Sequence, residues 1–351
     1  MVEDYRNPHR GKGLPGLAPL PLDDATAVGA LLSLCPAHAA TQLLSLPGLA
    51  REIGVGTLQL KDERDRMGLG SFKALGAAHA IAREANKARA ARGSNWSEAL
   101  HGRVYATASA GNHGLSVAAG ARLFGARAVV FLSDTVPEAF AARLAAKGAE
   151  VRRAGATYED SMEAAEAEAA RQGWTLLSDS SWPGYTEMPL RVMEGYLQIG
   201  AEIVDQIDAP PTHIFLQAGV GGMAAALAAL FRRAWGEAPV IVVVEPEAAP
   251  AILESLRAGA IKTTAGPVSS MGRLDCKTPS MIALAGLARD ADQVVTVTEA
   301  EAATAVARLS TEGLETTPSG AAGIAAMLAG RPPLPPDARV LAILSEGPED
   351  A

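Results

Sequence analysis

The sequence predicts an α/β protein in which mostly parallel sheets are flanked by helices. Strand-like runs alternate with Ala- and Leu-rich helical patterns along most of the chain, which is typical of strands joined by covering helices. Of the 351 residues, 48% are hydrophobic and only 4% aromatic, a composition that favours close packing of helices on sheets. The length predicts two domains, or one large unit with an inserted lobe.

The elements follow one another in a regular order after an irregular start. Residues 5–21 are rich in Pro, Gly and basic side chains, and we expect an extended arm that lies over the body. Because each strand is followed by a helix, the strands are expected to be parallel. Strands are predicted at 56–61, 103–106, 127–132, 150–153, 174–177, 212–216, 240–245, 293–297 and 339–344. Helices are predicted at 74–91, 114–124, 138–146, 158–171 and 223–235.

Charge and cysteine content exclude several classes of protein. The formal net charge of −8 argues against a nucleic-acid partner, since binding phosphates requires clustered Lys and Arg. The two cysteines, Cys35 and Cys276, form neither a zinc spacing nor a disulfide framework, so we expect no metal and a reducing compartment. No apolar run approaches the length of a membrane span, and the N-terminus lacks a signal pattern. We therefore expect a soluble, cytoplasmic protein with no membrane partner.

The chain is organised around residues 68–76 (GLGSFKALG), which follow a strand and a charged turn and lead into a long helix. Lys73 lies at or just inside the helix start, beside Phe72 and Leu75. A partly desolvated ammonium loses proton affinity there and becomes a usable nucleophile or base. The alternative is a solvated surface lysine. The case for chemistry depends on two glycine-bearing turns downstream.

The first of these turns is residues 107–114 (TASAGNHG), between a strand and a helix. Its small residues allow the backbone to approach a planar ligand, and the Asn112 amide can donate to an oxygen. The alternative is a tight strand-to-helix turn that is capped by Asn112.

The second turn is residues 217–222 (QAGVGG), again between a strand and a helix. Backbone N–H groups at a helix start, with three glycines among them, make a phosphate cradle. No Lys-Ser/Thr pair follows and the G-x-G-G spacing fits a dinucleotide fingerprint poorly, which leaves the phosphate of a smaller cofactor or a purely structural turn. Ser345 ends the last strand, where its hydroxyl could face a heteroaromatic nitrogen or simply start a turn.

The four candidate features follow one another along the chain: the lysine, the asparagine turn, the glycine cradle and the terminal serine. Each comes after a strand. This set resembles the fold-type II pyridoxal-phosphate enzymes, which share the tryptophan synthase β-subunit fold and include threonine dehydratases, serine racemases and cysteine synthases. The resemblance runs from about Leu43 to Ser345. It implies a two-lobe α/β fold with the cofactor in the cleft, a large domain of residues 1–81 and 191–351, a smaller inserted lobe of residues 82–190, and a homodimer.

Within this group the chain is most similar to diaminopropionate ammonia-lyases. Residues 182–196 best distinguish these lyases from the related dehydratases. In one position it departs: those lyases carry Asp-Gly-Asn-His-Gly where this chain has Ala110-Gly111-Asn112-His113-Gly114. Ala110 is similar to the serine/threonine dehydratase version of the turn. In the family that aspartate is associated with handling the D-isomer. The matching residues are Lys61, Asp62, Glu63, Arg66, Gly68, Leu69, Asp179, Trp182, Gly184, Tyr185, Glu187, Pro189, Met193, Gly195, Tyr196, residues 217–221 and residues 345–347.

The resemblance implies a role for each candidate residue. Lys73 would hold pyridoxal 5′-phosphate as a Schiff base and later move protons. A second family carboxylate matches Asp160, taken here as the general acid, or its neighbour Glu159; a favourable charge at a helix start is the alternative for either. The cofactor-binding residues would be Lys73, Asn112, Gly219, Val220, Gly221, Gly222 and Ser345. The substrate carboxylate would meet Ser109, Gly111 and His113.

The reaction implied is α,β-elimination from 2,3-diaminopropionate, which yields pyruvate and ammonia. A serine/threonine dehydratase-like lyase that acts on another β-substituted amino acid is the first alternative, and Ala110 favours it. A non-catalytic cofactor-holding or ligand-sensing protein is the second. The sequence leaves three properties open: the substrate stereochemistry, the dependence on a monovalent cation, and the oligomeric state beyond the family expectation.

Overall fold

The structure, a computed structural model, describes residues 2–35, 37–93, 95–109 and 111–348. Within them the chain alternates between strands and helices. The strands are β1 (Asp4–Arg6), β2 (Leu43–Ser45), β3 (Thr57–Asp62), β4 (Val104–Ala108), β5 (Arg127–Leu132), β6 (Ala149–Arg153), β7 (Thr175–Leu176), β8 (His213–Gln217), β9 (Val240–Pro246), β10 (Gln293–Val297) and β11 (Arg339–Leu344). The α-helices are α1 (Thr26–Leu32), α2 (Pro47–Ile53), α3 (Lys73–Arg92), α4 (Asn112–Leu123), α5 (Glu138–Ala146), α6 (Tyr158–Gln172), α7 (Glu187–Gln206), α8 (Gly222–Trp235), α9 (Ala251–Ala258), α10 (Met281–Asp290), α11 (Glu299–Ser310) and α12 (Pro318–Leu328).

The strands form two separate sheets. The larger sheet has seven strands in the order β1-β10-β9-β8-β11-β3-β2, and the smaller has four in the order β6-β5-β4-β7. All pairs are parallel except β1 with β10 and β2 with β3, which lie at the two edges of the larger sheet. The predicted α/β class with mostly parallel sheets is confirmed, and all nine predicted strands are present.

Among the strands of the described residues, the two edge strands are those that sequence patterns did not indicate. Each has three residues and pairs antiparallel with its neighbour, so neither shows an alternation long enough to recognise. Strand β1 lies against β10 through the pair Tyr5 and Val294, so the predicted arm begins as an edge strand.

Helices α3 and α7 pack closely because glycines face their contact. A Cβ atom on Gly76 would lie 2.6 Å from Cε1 of Tyr196, and one on Gly195 would lie 2.5 Å from the Leu75 carbonyl oxygen. Both helices also run through the predicted lobe boundaries, since residue 82 lies inside α3 and residue 190 inside α7. The division into domains at 82 and 190 therefore stays a prediction.

A buried charge network anchors the turn before Lys73. Arg66, fully buried, lies 2.6 Å from Glu63 Oε1 and 2.7 Å from Glu202 Oε2. Lys61 Nζ lies 2.7 Å from the same Glu202 oxygen and donates to the Thr41 carbonyl at 2.8 Å. Burial alone would raise the pKa of Glu202, but Arg66 and Lys61 lower it to about 2. The network fixes β3 and the following turn to α7.

Three adjacent strands of the larger sheet, β8, β11 and β3, run parallel, so their carboxyl ends meet at one edge. The glycine turn follows β8, Ser345 follows β11, and the segment that carries Lys73 follows β3. This edge is where open α/β sheets bind ligands.

Within the described residues, no helix is both long and apolar enough to cross a bilayer.

Candidate active site

Lys73 begins helix α3 and points to a carboxylate from the other sheet. Its Nζ donates a hydrogen bond to Oδ2 of Asp179 and lies 5.4 Å from the centre of the Phe72 ring. The Phe72 ring in turn meets Tyr196 edge to face, with 5.0 Å between ring centres. The aromatic pair therefore supports the lysine on one side while Asp179 holds its amine.

The charge state of Lys73 differs from the sequence-based expectation. Burial disfavours the ammonium, as anticipated, but the nearby Asp179 carboxylate outweighs burial and raises the pKa of Lys73. Likewise, burial would raise the pKa of Asp179, yet the neighbouring Lys73 ammonium holds it well below its usual range. The expected loss of proton affinity at Lys73 was wrong for this state, because it considered desolvation without the partner charge.

Asp179 is the functional residue that sequence reasoning missed, although it stands in a matched stretch. It follows β7, which pairs with β4, so it emerges beside the 109–113 turn. The Tyr185 hydroxyl donates to the Leu176 carbonyl at 2.8 Å and accepts from the Ser178 N–H at 3.0 Å. Trp182 stacks on Tyr185 with 4.4 Å between ring centres. The discriminating aromatic stretch therefore holds the segment that presents Asp179.

Asp160, predicted as the general acid, lies elsewhere. Its carboxylate accepts hydrogen bonds from the N–H groups of Ala156 and Thr157, both at 2.9 Å, and its own N–H donates to the Thr157 hydroxyl at 3.1 Å. This is a capping box at the start of α6. These hydrogen bonds lower the pKa of Asp160. The geometry thus gives Asp160 a capping role, and the carboxylate that reaches Lys73 is Asp179.

The 217–222 turn has the shape of an anion cradle. Gly221 has a φ of +93°, in the left-handed region, and caps the 14-residue helix α8. A Cβ atom on Gly219 would lie 2.9 Å from the Arg273 carbonyl oxygen and 3.0 Å from Cys276 Sγ. Gly222 has room for a Cβ, whose nearest neighbour would be 3.5 Å away. Backbone N–H groups at the start of α8, with a facing helix dipole, fit a phosphate dianion.

Asn112 and Ser345 follow strands of different sheets but lie near one glutamate. Asn112 is the first residue of α4, and its Nδ2 donates to Oε2 of Glu346 at 2.7 Å instead of capping the helix. Ser345, buried, precedes Glu346 at the end of β11. An amide that follows a strand of one sheet and a hydroxyl that follows a strand of the other therefore lie beside the same glutamate.

The turn predicted to bind the substrate carboxylate passes through Ala110, which lies outside the described residues. The Gly111 N–H donates to the Ser109 hydroxyl at 3.3 Å. His113 is buried, and its Nε2 lies 2.9 Å from the Leu177 carbonyl oxygen, so this nitrogen must carry the hydrogen. Burial lowers the pKa of His113, which keeps the ring neutral.

Cysteine and metal chemistry can be assessed from the same region. Burial raises the pKa of Cys276 to about 12, so its thiol beside the cradle is protonated. Among the described residues, no three His, Cys, Asp or Glu side chains cluster in a way that could hold a metal ion.

The fold and this site define the class of protein to which the chain belongs. Residues 34–346 match the family model described as pyridoxal-phosphate dependent enzyme. The chain belongs to this family, and the cradle, Lys73, Asn112 and Ser345 fit its cofactor. The expected fold of the tryptophan synthase β-like enzymes is thereby confirmed.

Individual relatives show which proteins of this family the chain resembles. The chain is 33% identical to the diaminopropionate ammonia-lyase of Salmonella typhimurium over 265 residues, which cover 70% of this chain and 66% of that protein. It is 28% identical to a mouse serine dehydratase-like protein over 298 residues, covering 84% of this chain and 83% of that one. The structure of Escherichia coli diaminopropionate ammonia-lyase in complex with D-serine superimposes with a TM-score of 0.88 at 26% identity, covering 99% and 94% of the two chains. The expected resemblance to these lyases is confirmed.

Proposed function

We propose that this enzyme is an ammonia-lyase that carries out α,β-elimination on 2,3-diaminopropionate. The observation that carries the proposal is the Lys73–Asp179 pair, because it joins an amine that follows β3 of the larger sheet to a carboxylate that follows β7 of the smaller sheet. The similarity to diaminopropionate ammonia-lyases supports the substrate. Water enters the overall reaction, and each substrate molecule gives pyruvate and two molecules of ammonia.

The protein groups divide the work of the reaction. Pyridoxal phosphate supplies an electron sink for the carbanion at the α-carbon. Lys73 holds the cofactor and afterwards carries a proton on Nζ. Asp179 takes the general acid–base role first expected of Asp160: its carboxyl group exchanges a proton with Lys73 and delivers one to the departing β-nitrogen. Ser345 would hold the ring nitrogen through a neutral hydroxyl, and Asn112 would hold the ring oxygen.

The remaining candidate residues would hold the phosphate and the substrate carboxylate. The backbone N–H groups of residues 219–222, at the start of α8, would hold the phosphate. The Ser109–His113 turn receives the substrate carboxylate through backbone N–H groups and the Ser109 hydroxyl. We also expect the family's homodimer, a cytoplasmic location, and the division into a large domain and an inserted lobe.

An assay of pyruvate and ammonia with D- and L-diaminopropionate, serine and threonine tests the proposal. Turnover of diaminopropionate with a twofold yield of ammonia over pyruvate supports it. A serine/threonine dehydratase-like activity is the second candidate, favoured by the dehydratase-like Ser109-Ala110 pair and by the serine dehydratase-like relatives. That activity gives equal yields of ammonia and keto acid, and preferred turnover of serine would replace the first proposal.

A further inference from the structure

Tyr196 of helix α7 places its phenol ring beside the starts of two other helices. The residue is 1% exposed. A Cβ atom on Gly76 of α3 would lie 2.8 Å from Cζ, the ring atom that carries the hydroxyl, and one on Gly222, the first residue of α8, would lie 3.7 Å from Cε2. The Phe72 ring meets the phenol edge to face, with 5.0 Å between the ring centres. The phenol therefore lies between the segment that carries Lys73 and the last residue of the cradle.

The Tyr196 hydroxyl is a buried polar group at this position. Within the part of the chain that the structure describes, its oxygen has no hydrogen-bond partner. Lys73 is close enough for its charge to affect the pKa of the phenol. An ammonium carries donors only, however, and this one already donates to Asp179, so it cannot accept the phenolic hydrogen. A buried O–H group without an acceptor costs free energy, which the binding of an acceptor would recover.

The phenol is neutral and acts as a donor. Burial raises the pKa of Tyr196, and this effect outweighs the opposing charge of Lys73. The hydroxyl group therefore keeps its hydrogen at physiological pH. Because a hydrogen bond is roughly twice as strong when the acceptor is ionised, an anion is the ligand that best complements this donor.

Phosphate is the anion that this position is suited to receive. The backbone N–H groups of residues 219–222 are the proposed phosphate site, and Gly222 has no side chain to separate them from Tyr196. A phosphate group has three terminal oxygens that accept hydrogen bonds strongly, so it can bind the N–H groups of the turn and a further donor at the same time. The Asp179 carboxylate, another anion near the phenol, is bound to Lys73 instead.

We propose that the Tyr196 hydroxyl donates a hydrogen bond to the phosphate of pyridoxal phosphate at the start of α8. This inference rests on the proposed placement of that phosphate at residues 219–222. Tyr196 is then a cofactor-binding residue from α7, in addition to the residues of the turn. Since α7 follows the loop that presents Asp179, the phosphate is bound by two elements, the turn after β8 and the helix after that loop.

The test compares pyridoxal phosphate with pyridoxal, which lacks the phosphate, in the unmodified enzyme and in Tyr196→Phe. Equilibrium dialysis of the whole chain gives a dissociation constant for each compound without any amino-acid substrate. Tyr196→Phe is expected to weaken the binding of pyridoxal phosphate on the order of ten- to a hundredfold, the effect of losing one hydrogen bond to a charged group, and to leave pyridoxal within about twofold. The thermal unfolding midpoint of the cofactor-free variant should not fall, since the deleted hydroxyl has no partner among the described residues.

Tyr105→Phe is the matched control, because Tyr105 is also buried but lies on β4 of the smaller sheet, where its hydroxyl donates to Glu84. It should leave both dissociation constants unaltered and lower the unfolding midpoint. Unchanged binding of pyridoxal phosphate by Tyr196→Phe, or an equal loss for the two compounds, would show that the hydroxyl does not meet the phosphate and would overturn the proposal.

Gly222→Asp distinguishes that failure from a failure of the placement on which the proposal rests. If Gly222→Asp weakens the binding of pyridoxal phosphate and Tyr196→Phe does not, the role of Tyr196 is wrong and the cradle stands. If Gly222→Asp leaves the affinity unchanged, the placement of the phosphate is wrong and the role of Tyr196 with it. Neither result bears on the proposed amino-acid substrate, because none is present in the measurement.

Discussion

The carboxylate of Asp179 accepts a hydrogen bond from Nζ of Lys73, although 106 residues separate the two in the chain. Lys73 follows a strand of the larger sheet, and Asp179 follows an edge strand of the smaller one. The contact exists only when both sheets are in place. Acid–base chemistry at this site therefore depends on the two sheets together, and the following predictions examine that dependence.

Asp179→Asn is expected to lower the elimination rate on the order of a hundred- to ten-thousand-fold, the usual effect of losing a positioned acid or base. Cofactor absorption should remain, because Asp179 does not belong to the phosphate cradle. The matched control is Asp160→Asn, which should change thermal stability slightly and leave the rate within about twofold. Comparable rate losses in the two variants would return the acid–base role to the start of α6.

Lys73→Ala should abolish turnover and the covalent attachment of the cofactor. Borohydride reduction of the unmodified enzyme followed by peptide mass analysis should find the label on Lys73. A variant lacking Lys73 also leaves Asp179 buried without its partner, so the pKa of that carboxyl group should rise. Infrared detection of a protonated carboxylic acid near neutral pH would report the rise. A label retained after Lys73→Ala is incompatible with the site described here.

Substitutions at Gly222 separate ligand binding from folding. Gly222 has room for a Cβ, so Gly222→Ala should fold normally, whereas Gly222→Asp places a negative charge where a phosphate dianion binds. Cofactor affinity, measured by equilibrium dialysis, should fall modestly in the first and at least a hundredfold (~3 kcal/mol) in the second. Gly29→Asp makes the same change on α1, where the nearest neighbour is also 3.5 Å away, and should leave cofactor affinity unaltered.

Glu202→Gln should be strongly destabilising, because it leaves Lys61 and Arg66 buried with one charge partner fewer. Breaking a buried pair costs about 3–5 kcal/mol, whereas Glu150→Gln, at an exposed pair with Arg152, should cost less than about 1 kcal/mol. The pKa of Glu202 lies below its unfolded value, so its contribution is present above about pH 4.5 and is lost as the pH falls toward 2. Urea unfolding across this range should show the difference between the two variants shrinking at low pH.

The isomer preference of the enzyme follows from Ala110 and Asp179. The α-proton of a D-isomer faces the opposite side of the cofactor plane from that of an L-isomer, and Ala110 offers no titratable group there. We expect a preference for L-diaminopropionate of at least a hundredfold, and Ala110→Asp should raise the rate for the D-isomer more than for the L-isomer. Chiral substrates assayed separately give the answer. Equal rates with the two isomers would point to another base on the second face.

Buried parallel strands could be predicted closely because their apolar runs are continuous and end at turn residues. Strands β5, β10 and β11 have the predicted ends, whereas three-residue β1 and β2 carry too little pattern to be recognised. The lysine segment, the cradle and the serine follow β3, β8 and β11, so their meeting at one edge of the larger sheet could be predicted from their parallel strands. The asparagine turn follows β4 of the smaller sheet, and its approach to them could not be predicted in this way.

The choice between Asp160 and Asp179 could not be made from order along the chain, because it depends on the pairing of β7 with β4. One local signal was available: Thr157 and Asp160 have the spacing of a capping box, which indicates that Asp160 satisfies its own helix. The proton affinity of Lys73 could not be predicted from the sequence for a related reason. Burial could be anticipated from its neighbours, but the sign of the shift depends on a carboxylate from a distant element.

The phenol of Tyr185 binds the polypeptide just before Asp179 through main-chain atoms alone, at the Leu176 carbonyl and the Ser178 amide. These two backbone hydrogen bonds do not involve the side chain at position 179. A substitution there changes the group that faces Lys73 and leaves the two bonds in place, so position 179 is where a laboratory search for new elimination substrates should begin.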